Sequence, residues 1–64
     1  MVETEPKLAL NGKYGIGRAA DLLGIHRNSL REYTKEGRIK FGIHKTNNRI
    51  YYFGHEIVKF WRTF

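Results

Sequence analysis

Apolar residues recur at helical spacing in three stretches, and two runs rich in β-branched and aromatic residues lie between the second and the third. In the first stretch, Ile16, the pair Ala19-Ala20 and Leu23 share one helix face. The spacing predicts a helix that begins near Ile16 and ends at Gly24, a residue able to adopt positive φ. Gly15 is a weaker N-cap than serine or aspartate, so this short helix depends on tertiary packing.

A second helix is predicted directly after a short turn. It opens at His26 or Arg27 and closes at Gly37. Its inner stripe is formed by Leu30 together with Tyr33 or Thr34. A basic stripe follows its outer side and consists, at spacing i, i+4 and i+8, of Arg27, Arg31 and Lys35, with Asn28 beside it.

The two strand-like runs are Ile39 to His44 and Arg49 to Phe53. They flank the turn Lys45-Thr46-Asn47-Asn48, in which asparagine tolerates the positive φ of a tight hairpin. With a two- or four-residue loop, Ile43 and Tyr52 share a face with Ile50, and the opposite face carries His44 and Tyr51. A three-residue loop would exchange this pairing. We expect a loop with an even number of residues.

The last apolar stretch predicts a third helix from His55 to Phe64. Its inner face comprises Ile57, Phe60, Trp61 and Phe64. The order helix, helix, hairpin, helix predicts a small α+β domain over residues 14–64. Residues 1–13 include acids and the turn signal Asn11-Gly12, and we expect them to form a mobile arm; the alternative is an ordered strand across Leu8–Leu10.

The charge balance points to a polyanionic partner. The 64-residue chain has twelve Lys and Arg against six Asp and Glu, a net charge of +6. Two of the acids, Glu3 and Glu5, lie in the first six residues, so the positive excess falls on the rest of the chain. Nucleic acid is the commonest soluble polyanion, although a basic surface can also serve solubility alone.

Size and composition argue against an enzyme. Apolar residues make up 41% of the chain and cysteine is absent, which allows one small core but little room for a substrate pocket. We expect no cofactor, no metal and no small-molecule substrate. No segment has the character of a signal peptide or a membrane span, and the lack of cysteine fits a reducing compartment, so we expect a cytoplasmic protein.

Residues 14–39 combine two predicted helices into a helix-turn-helix arrangement. The small pair Ala19-Ala20 lets the helices approach closely, and Gly24-Ile25 forms the corner between them. In this arrangement the N-terminal end of the second helix enters the major groove of DNA. The side chains expected to face the bases are Arg27, Asn28 and Arg31, with Lys35 further along the same stripe. Arginine can make a bidentate contact to guanine and asparagine to adenine.

The segments Ala19-Ala-Asp-Leu-Leu-Gly24 and Glu36-Gly-Arg-Ile39 resemble the opening of the MerR-like and excisionase-like winged helix-turn-helix domains. Arg49-Ile-Tyr-Tyr52 and Glu56-Ile-Val-Lys-Phe-Trp61 resemble the return strand of the wing and the closing helix. The resemblance implies a winged helix-turn-helix fold that binds double-stranded DNA. It implies that the backbone or minor groove is contacted by the wing residues Lys45, Thr46, Asn47, Asn48 and Arg49.

The chain departs from these families where its helices begin. Gly15, Gly17 and Arg18 stand where the first helix usually has serine or threonine followed by acids. His26 stands where the recognition helix commonly opens with serine. These changes are expected to weaken the helix caps and to add positive charge near the DNA backbone, which makes Arg18 and His26 further candidates for backbone contact.

Within this resemblance we favour an excisionase-like factor that binds near a recombination site and shapes the DNA for an integrase or recombinase, with further copies of itself as another partner on DNA. MerR-type regulators carry a long dimerising helix and an effector domain after the DNA-binding part, whereas this chain stops at Phe64. The alternative is a small MerR-like transcriptional regulator or a fragment of one.

Two other classes of function stay open. A protein-interaction module would dock its partner through Trp61 and Phe64, whose rings should then be exposed. A binder of single strands or RNA would need exposed rings on a sheet face, for which Tyr51 and Tyr52 are the candidates.

Three weaker signals favour ordinary structural interpretations. The segment from Gly15 to Ala20 matches a dinucleotide-binding fingerprint through Gly15, Gly17 and Ala20, but the required βαβ unit is missing. Ser29 has no evident base partner. No metal-site spacing relates the histidines, which are His26, His44 and His55.

Overall fold

The three predicted helices and the hairpin form in the predicted order in a computed structural model, which describes residues 1–63. The helices are α1 (Ile16–Leu23), α2 (Arg27–Lys35) and α3 (Gly54–Thr63). The strands are β1 (Lys13–Tyr14), β2 (Gly42–Ile43) and β3 (Ile50–Phe53). The α+β fold class is therefore confirmed. The predicted contribution of Phe64 to the third helix lies outside the described residues.

The turn between α1 and α2 lies between the C-cap of α1, Gly24, and the N-cap of α2, His26. Gly24 has φ 71° and ends α1 in the left-handed conformation, as predicted. His26 begins α2, and its Nδ1 accepts a hydrogen bond of 3.0 Å from the N–H of Asn28. The expectation that His26 weakens this cap is wrong, because its ring nitrogen takes the role of a serine oxygen. Gly15 gives α1 no side-chain cap, as expected.

A three-stranded antiparallel sheet has the order β1-β3-β2. Lys13 pairs with Phe53, and Tyr14 pairs with Tyr52, so the chain just before α1 forms a strand that the sequence analysis did not predict. The predicted strand at residues 39–44 is shortened to β2, and the predicted start at Arg49 moves to Ile50. At these ends Ile39 lies in a bend, and the other residues have no regular secondary structure.

The hairpin between β2 and β3 has the expected even loop. The N–H of His44 donates to the carbonyl of Arg49 over 2.9 Å, and Ile43 pairs with Ile50. Asn48 has φ 57°, the conformation for which asparagine was expected in this turn. Ile43 shares its face with Ile50, as predicted, and is 55% exposed because β2 is an edge strand next to the turn.

The core lies between the three helices and the inner face of the sheet. Its largest fully buried side chains are Leu23, Leu30, Tyr52 and Ile57. Thr34 links α2 to the sheet: its hydroxyl donates to the carbonyl of Leu30 over 2.8 Å and lies 2.7 Å from the hydroxyl of Tyr52. Because the single Thr34 proton is used in the first bond, Tyr52 donates in the second.

The first twelve residues lie along the domain. The N–H of Val2 donates to the carbonyl of Leu23 over 2.9 Å, and Trp61 Nε1 donates to the carbonyl of Val2 over 3.0 Å. Glu5 accepts two hydrogen bonds from Arg62, at 3.1 and 3.2 Å. No strand forms across Leu8–Leu10. The mobility expected for residues 1–13 stays a prediction.

Tyr52→Phe is expected to lower the free energy of unfolding by about 0.5–1.5 kcal/mol at neutral pH, since it removes the bond to Thr34. Burial raises the pKa of Tyr52 above its ordinary value of 10.0. Part of that rise is offset by the Thr34 hydroxyl, which can turn to donate to the ionised Tyr52 oxygen, and by the charge of Arg31. The folded state therefore holds the proton more tightly than the unfolded state. The protonated, buried Tyr52 therefore contributes its full stability below the unfolded pKa of about 10. That contribution is lost as the pH rises through the pKa of Tyr52 in the folded state.

Urea unfolding between pH 7 and pH 11 measures both effects. Tyr51→Phe is the matched control, because Tyr51 lies on the outer face of the sheet and shows no hydrogen bond from its hydroxyl among the described residues. A Tyr52→Phe protein that loses stability above pH 10 as steeply as the control would contradict the buried-tyrosine explanation.

Candidate nucleic-acid interface

The predicted recognition residues lie on the exposed side of α2. Arg27 is the first residue of the helix, Asn28 and Arg31 follow within its first two turns, and Lys35 is its last residue; all four are exposed. Leu30 holds the opposite side in the core. This division between core side and outer side is the one that the helical spacing predicts.

A cleft of about 550 Å³ separates the start of α2 from the part of the hairpin where the turn leads into β3. We call it the arginine cleft. It is lined by Arg27 and Arg31 from α2, Asn48, Arg49 and Ile50 from the hairpin, and Gly15, Ile16 and Gly17 from the start of α1. The fold thus brings together residues of the predicted recognition helix and of the predicted wing.

Every charged residue that lines the arginine cleft is cationic. None of its lining residues is acidic. The ion pairs within residues 1–63 join Lys35 to Glu32, Arg38 to Glu36, His55 to Glu56 and Arg62 to Glu5. Arg27, Arg31 and Arg49 take part in none of these pairs. Three guanidinium groups therefore face solvent on one concave surface without a neutralising partner, as an interface for phosphates requires.

A family model for the helix-turn-helix domain matches residues 14–63. The chain belongs to the helix-turn-helix domain family. Searches among curated proteins and among solved structures gave no significant match. Helix-turn-helix domains are DNA-binding modules and typically not enzymes, and the matched range covers both helices of the motif, the hairpin and the described part of the closing helix.

The other predicted contact residues of this helix-turn-helix domain are distributed around the cleft. Asn47 Oδ1 accepts a hydrogen bond of 3.0 Å from the N–H of Arg49 and so orders the turn. Lys45 and Thr46 are exposed in the turn but do not line the cleft. Lys35 lies 3.8 Å from Glu32, so its charge is partly balanced. Arg18 is exposed on α1, and the ring of His26 is engaged in capping α2.

The outer face of the sheet carries a row of half-exposed and exposed rings. The ring centroids of His44 and Tyr51 are 4.5 Å apart, those of Tyr51 and Phe53 are 5.3 Å apart, and those of Phe53 and His55 are 5.4 Å apart. Lys13 Nζ lies 5.0 Å from the centroid of the Tyr51 ring. The contact between His44 and Tyr51 crosses the hairpin, whereas the other two run along β3 and into α3; together they stabilise a sheet with short strands.

Several other aromatic residues are engaged within the domain, whereas Phe41 is 47% exposed. Tyr52 is fully buried, and Phe60 is buried with its ring centroid 5.4 Å from that of Tyr33. Trp61 is half-buried against the core and donates its indole N–H to Val2. The exposed Trp61 that an interaction module would use is therefore not found, and Phe64 lies outside the described residues.

The part of the chain that the structure describes contains neither a membrane-spanning helix nor a cluster of metal-binding side chains. Over residues 1–63, no helix combines the length and the hydropathy needed to cross a bilayer. Over the same residues, no three His, Asp or Glu side chains gather in a way that could hold a metal ion.

Sequence reasoning missed the part of the cleft formed by α1. Gly17 was noted only as a departure from the usual helix start, yet a Cβ atom there would lie 3.2 Å from Arg27 Nη2. The signal that could have pointed to this contact is a glycine inside a short helix, at a place where the MerR-like and excisionase-like domains usually have acids.

Proposed function

We propose that this domain binds double-stranded DNA at specific sites through α2 and the β2–β3 hairpin. The observation that carries the proposal is the arginine cleft, where unpaired guanidinium groups of both elements border one concave surface of a helix-turn-helix domain. Bound duplex DNA would place a phosphate strand along this surface while the start of α2 enters the major groove.

The two elements would have different roles. Asn28 and Arg31 lie near the N-terminal end of α2, from which side chains reach base edges. Lys45 and Arg49 border the hairpin turn, where long cationic side chains suit backbone phosphates or a narrow minor groove. Specificity would therefore come mainly from the helix and general affinity from the hairpin.

Selection of bound sequences from a random duplex pool tests site-specific binding and supplies the target for the variants. Asn28→Ala and Arg31→Ala are expected to relax the preference at particular base pairs, with each lost bidentate contact costing about 1–3 kcal/mol against the preferred base. The double change Lys45→Ala and Arg49→Ala is expected to weaken binding to all duplexes alike, because phosphates carry no sequence information.

Titrations of the selected duplex and of a scrambled duplex separate these effects. If the hairpin variant loses sequence preference while the helix variants lose only general affinity, the two roles are exchanged. If neither set changes binding, the DNA-contacting surface lies elsewhere on the domain.

Our finer proposal is an excisionase-like architectural role in the cytoplasm, in which the bound domain shapes DNA for a recombinase or for further copies of itself. It is supported by the resemblance of residues 14–39, which extends equally to small MerR-like regulators. An architectural factor should bend its site by tens of degrees. We expect a selected site placed at different positions in a fragment to give bound complexes of position-dependent gel mobility; equal mobilities would contradict the architectural role and leave DNA binding intact.

A further inference from the structure

The side chain of Arg27 reaches back across the turn to the first turn of α1. A Cβ atom built on Gly17 would lie 3.2 Å from Nη2 and 3.8 Å from Cζ of Arg27, and no side chain other than Arg27 comes within 4 Å of it. The guanidinium group thus occupies the space above Gly17. It rests against α1 at the edge of the arginine cleft.

We propose that Arg27 binds a backbone phosphate of duplex DNA in the arginine cleft, and that Gly17 is the positioning residue that makes room for its guanidinium group. The inference rests on the proposed function and changes one part of it. Arg27, which the sequence analysis counted among the base-reading residues, becomes a phosphate ligand.

The electrostatics of the cleft favour an anion at this place. Arg27 shares the cleft with Arg31 and Arg49, no carboxylate lines it, and none of the three forms an ion pair within residues 1–63. Like charges gathered on a concave surface repel one another and raise the local positive potential. A guanidinium fork matches two oxygens of a phosphate, and the phosphodiester backbone is the anion that duplex DNA supplies.

The presence of glycine at position 17 calls for a reason of this kind. Glycine is among the least favourable residues inside a helix, and α1 has only eight residues and no side-chain N-cap. The space that a methyl group would take at Gly17 is filled by the end of a flexible side chain and not by the core or by backbone. Alanine would therefore suit the fold at this position while displacing Arg27.

The decisive variant is Gly17→Ala, with Gly15→Ala as its matched control. A Cβ atom at Gly15 meets nothing within 4 Å, so the control makes the same chemical change two residues away without touching Arg27. We expect Gly17→Ala to keep or raise the melting temperature and to weaken duplex binding by about 5-fold, as expected for a partly lost charge-assisted contact. Because Gly15 itself lines the cleft, the control measures what a methyl group on the cleft wall costs when it does not contact Arg27, and Gly17→Ala should bind duplex more weakly than this control.

The Arg27→Ala background shows whether the effect passes through Arg27. In that background, Gly17→Ala should cause no further loss of affinity. A loss that persists would mean that the added methyl group obstructs DNA directly, which would overturn the positioning role. Equal binding by Gly17→Ala and by the unaltered protein would overturn it too.

The phosphate assignment has its own readout. Arg27→Ala should weaken binding to the selected and the scrambled duplex by the same factor and make the logarithmic salt slope shallower by about one. A relaxed sequence preference would show that Arg27 reads a base, and the inference would fail while the proposed function stands. Failure of the unaltered protein to bind any duplex would remove both.

Discussion

Leu30→Ala is expected to lower the free energy of unfolding by about 2–5 kcal/mol, the range for a fully buried leucine. Leu30 is 0% exposed and holds the recognition helix to the core. A domain of this size has a total stability of about 3–10 kcal/mol, so the substitution removes a large fraction of it. The DNA binding of the variant should fall in proportion to the unfolded fraction.

Leu10→Ala is the matched control, because Leu10 is 55% exposed and the change removes the same atoms. Urea unfolding at 25 °C, followed by circular dichroism, should separate the two variants by more than 1.5 kcal/mol. Similar midpoints for both variants would mean that α2 is held to the core by residues other than Leu30.

Raising the salt concentration from 50 to 200 mM is expected to weaken duplex binding by about 10²–10³-fold. We expect roughly four to six phosphate contacts for a domain of this size, each of which contributes about −0.9 to the slope of log affinity against log salt. Arg27 and Arg49 in the cleft and the exposed Lys45 supply three of the groups needed. A slope near zero would remove the proposal that this surface binds DNA.

Lys59→Ala controls for the overall charge. Lys59 lies on α3 and borders a separate hollow with Leu10 and Arg62. Its removal lowers the net charge by the same one unit as Arg49→Ala, but Lys59 is not among the residues that line the arginine cleft. Arg49→Ala should make the salt slope shallower by about one, because a phosphate contact is lost, whereas Lys59→Ala should leave it unchanged. Equal effects would indicate attraction by net charge alone.

Sequence periodicity predicts the helices because each helix end and each inner face is decided locally. Gly24 ends α1 with positive φ, and the spacing from Leu30 onward separates the buried from the exposed side of α2. The winged order of elements follows from the same local signals together with the hairpin turn. These features need no knowledge of the neighbours that each element meets.

The parts that sequence reasoning missed depend on contacts between distant residues. Lys13 and Tyr14 form a strand only because β3 offers them a free edge about forty positions further along the chain. The Arg27 side chain meets Gly17 only after the turn has folded back. Ile43 shares a face with Ile50, yet its position on an edge strand leaves its side chain exposed.

The hydrogen bond between Trp61 and Val2 gives the protein an internal optical probe. Trp61 is the only tryptophan of the chain, and its indole N–H is bonded to the second residue, whose own N–H reaches the end of α1. Indole emission depends on local polarity, so the intrinsic fluorescence reports whether the amino-terminal segment is docked between α1 and α3. Detachment of that segment can thereby be followed at equilibrium without any attached dye.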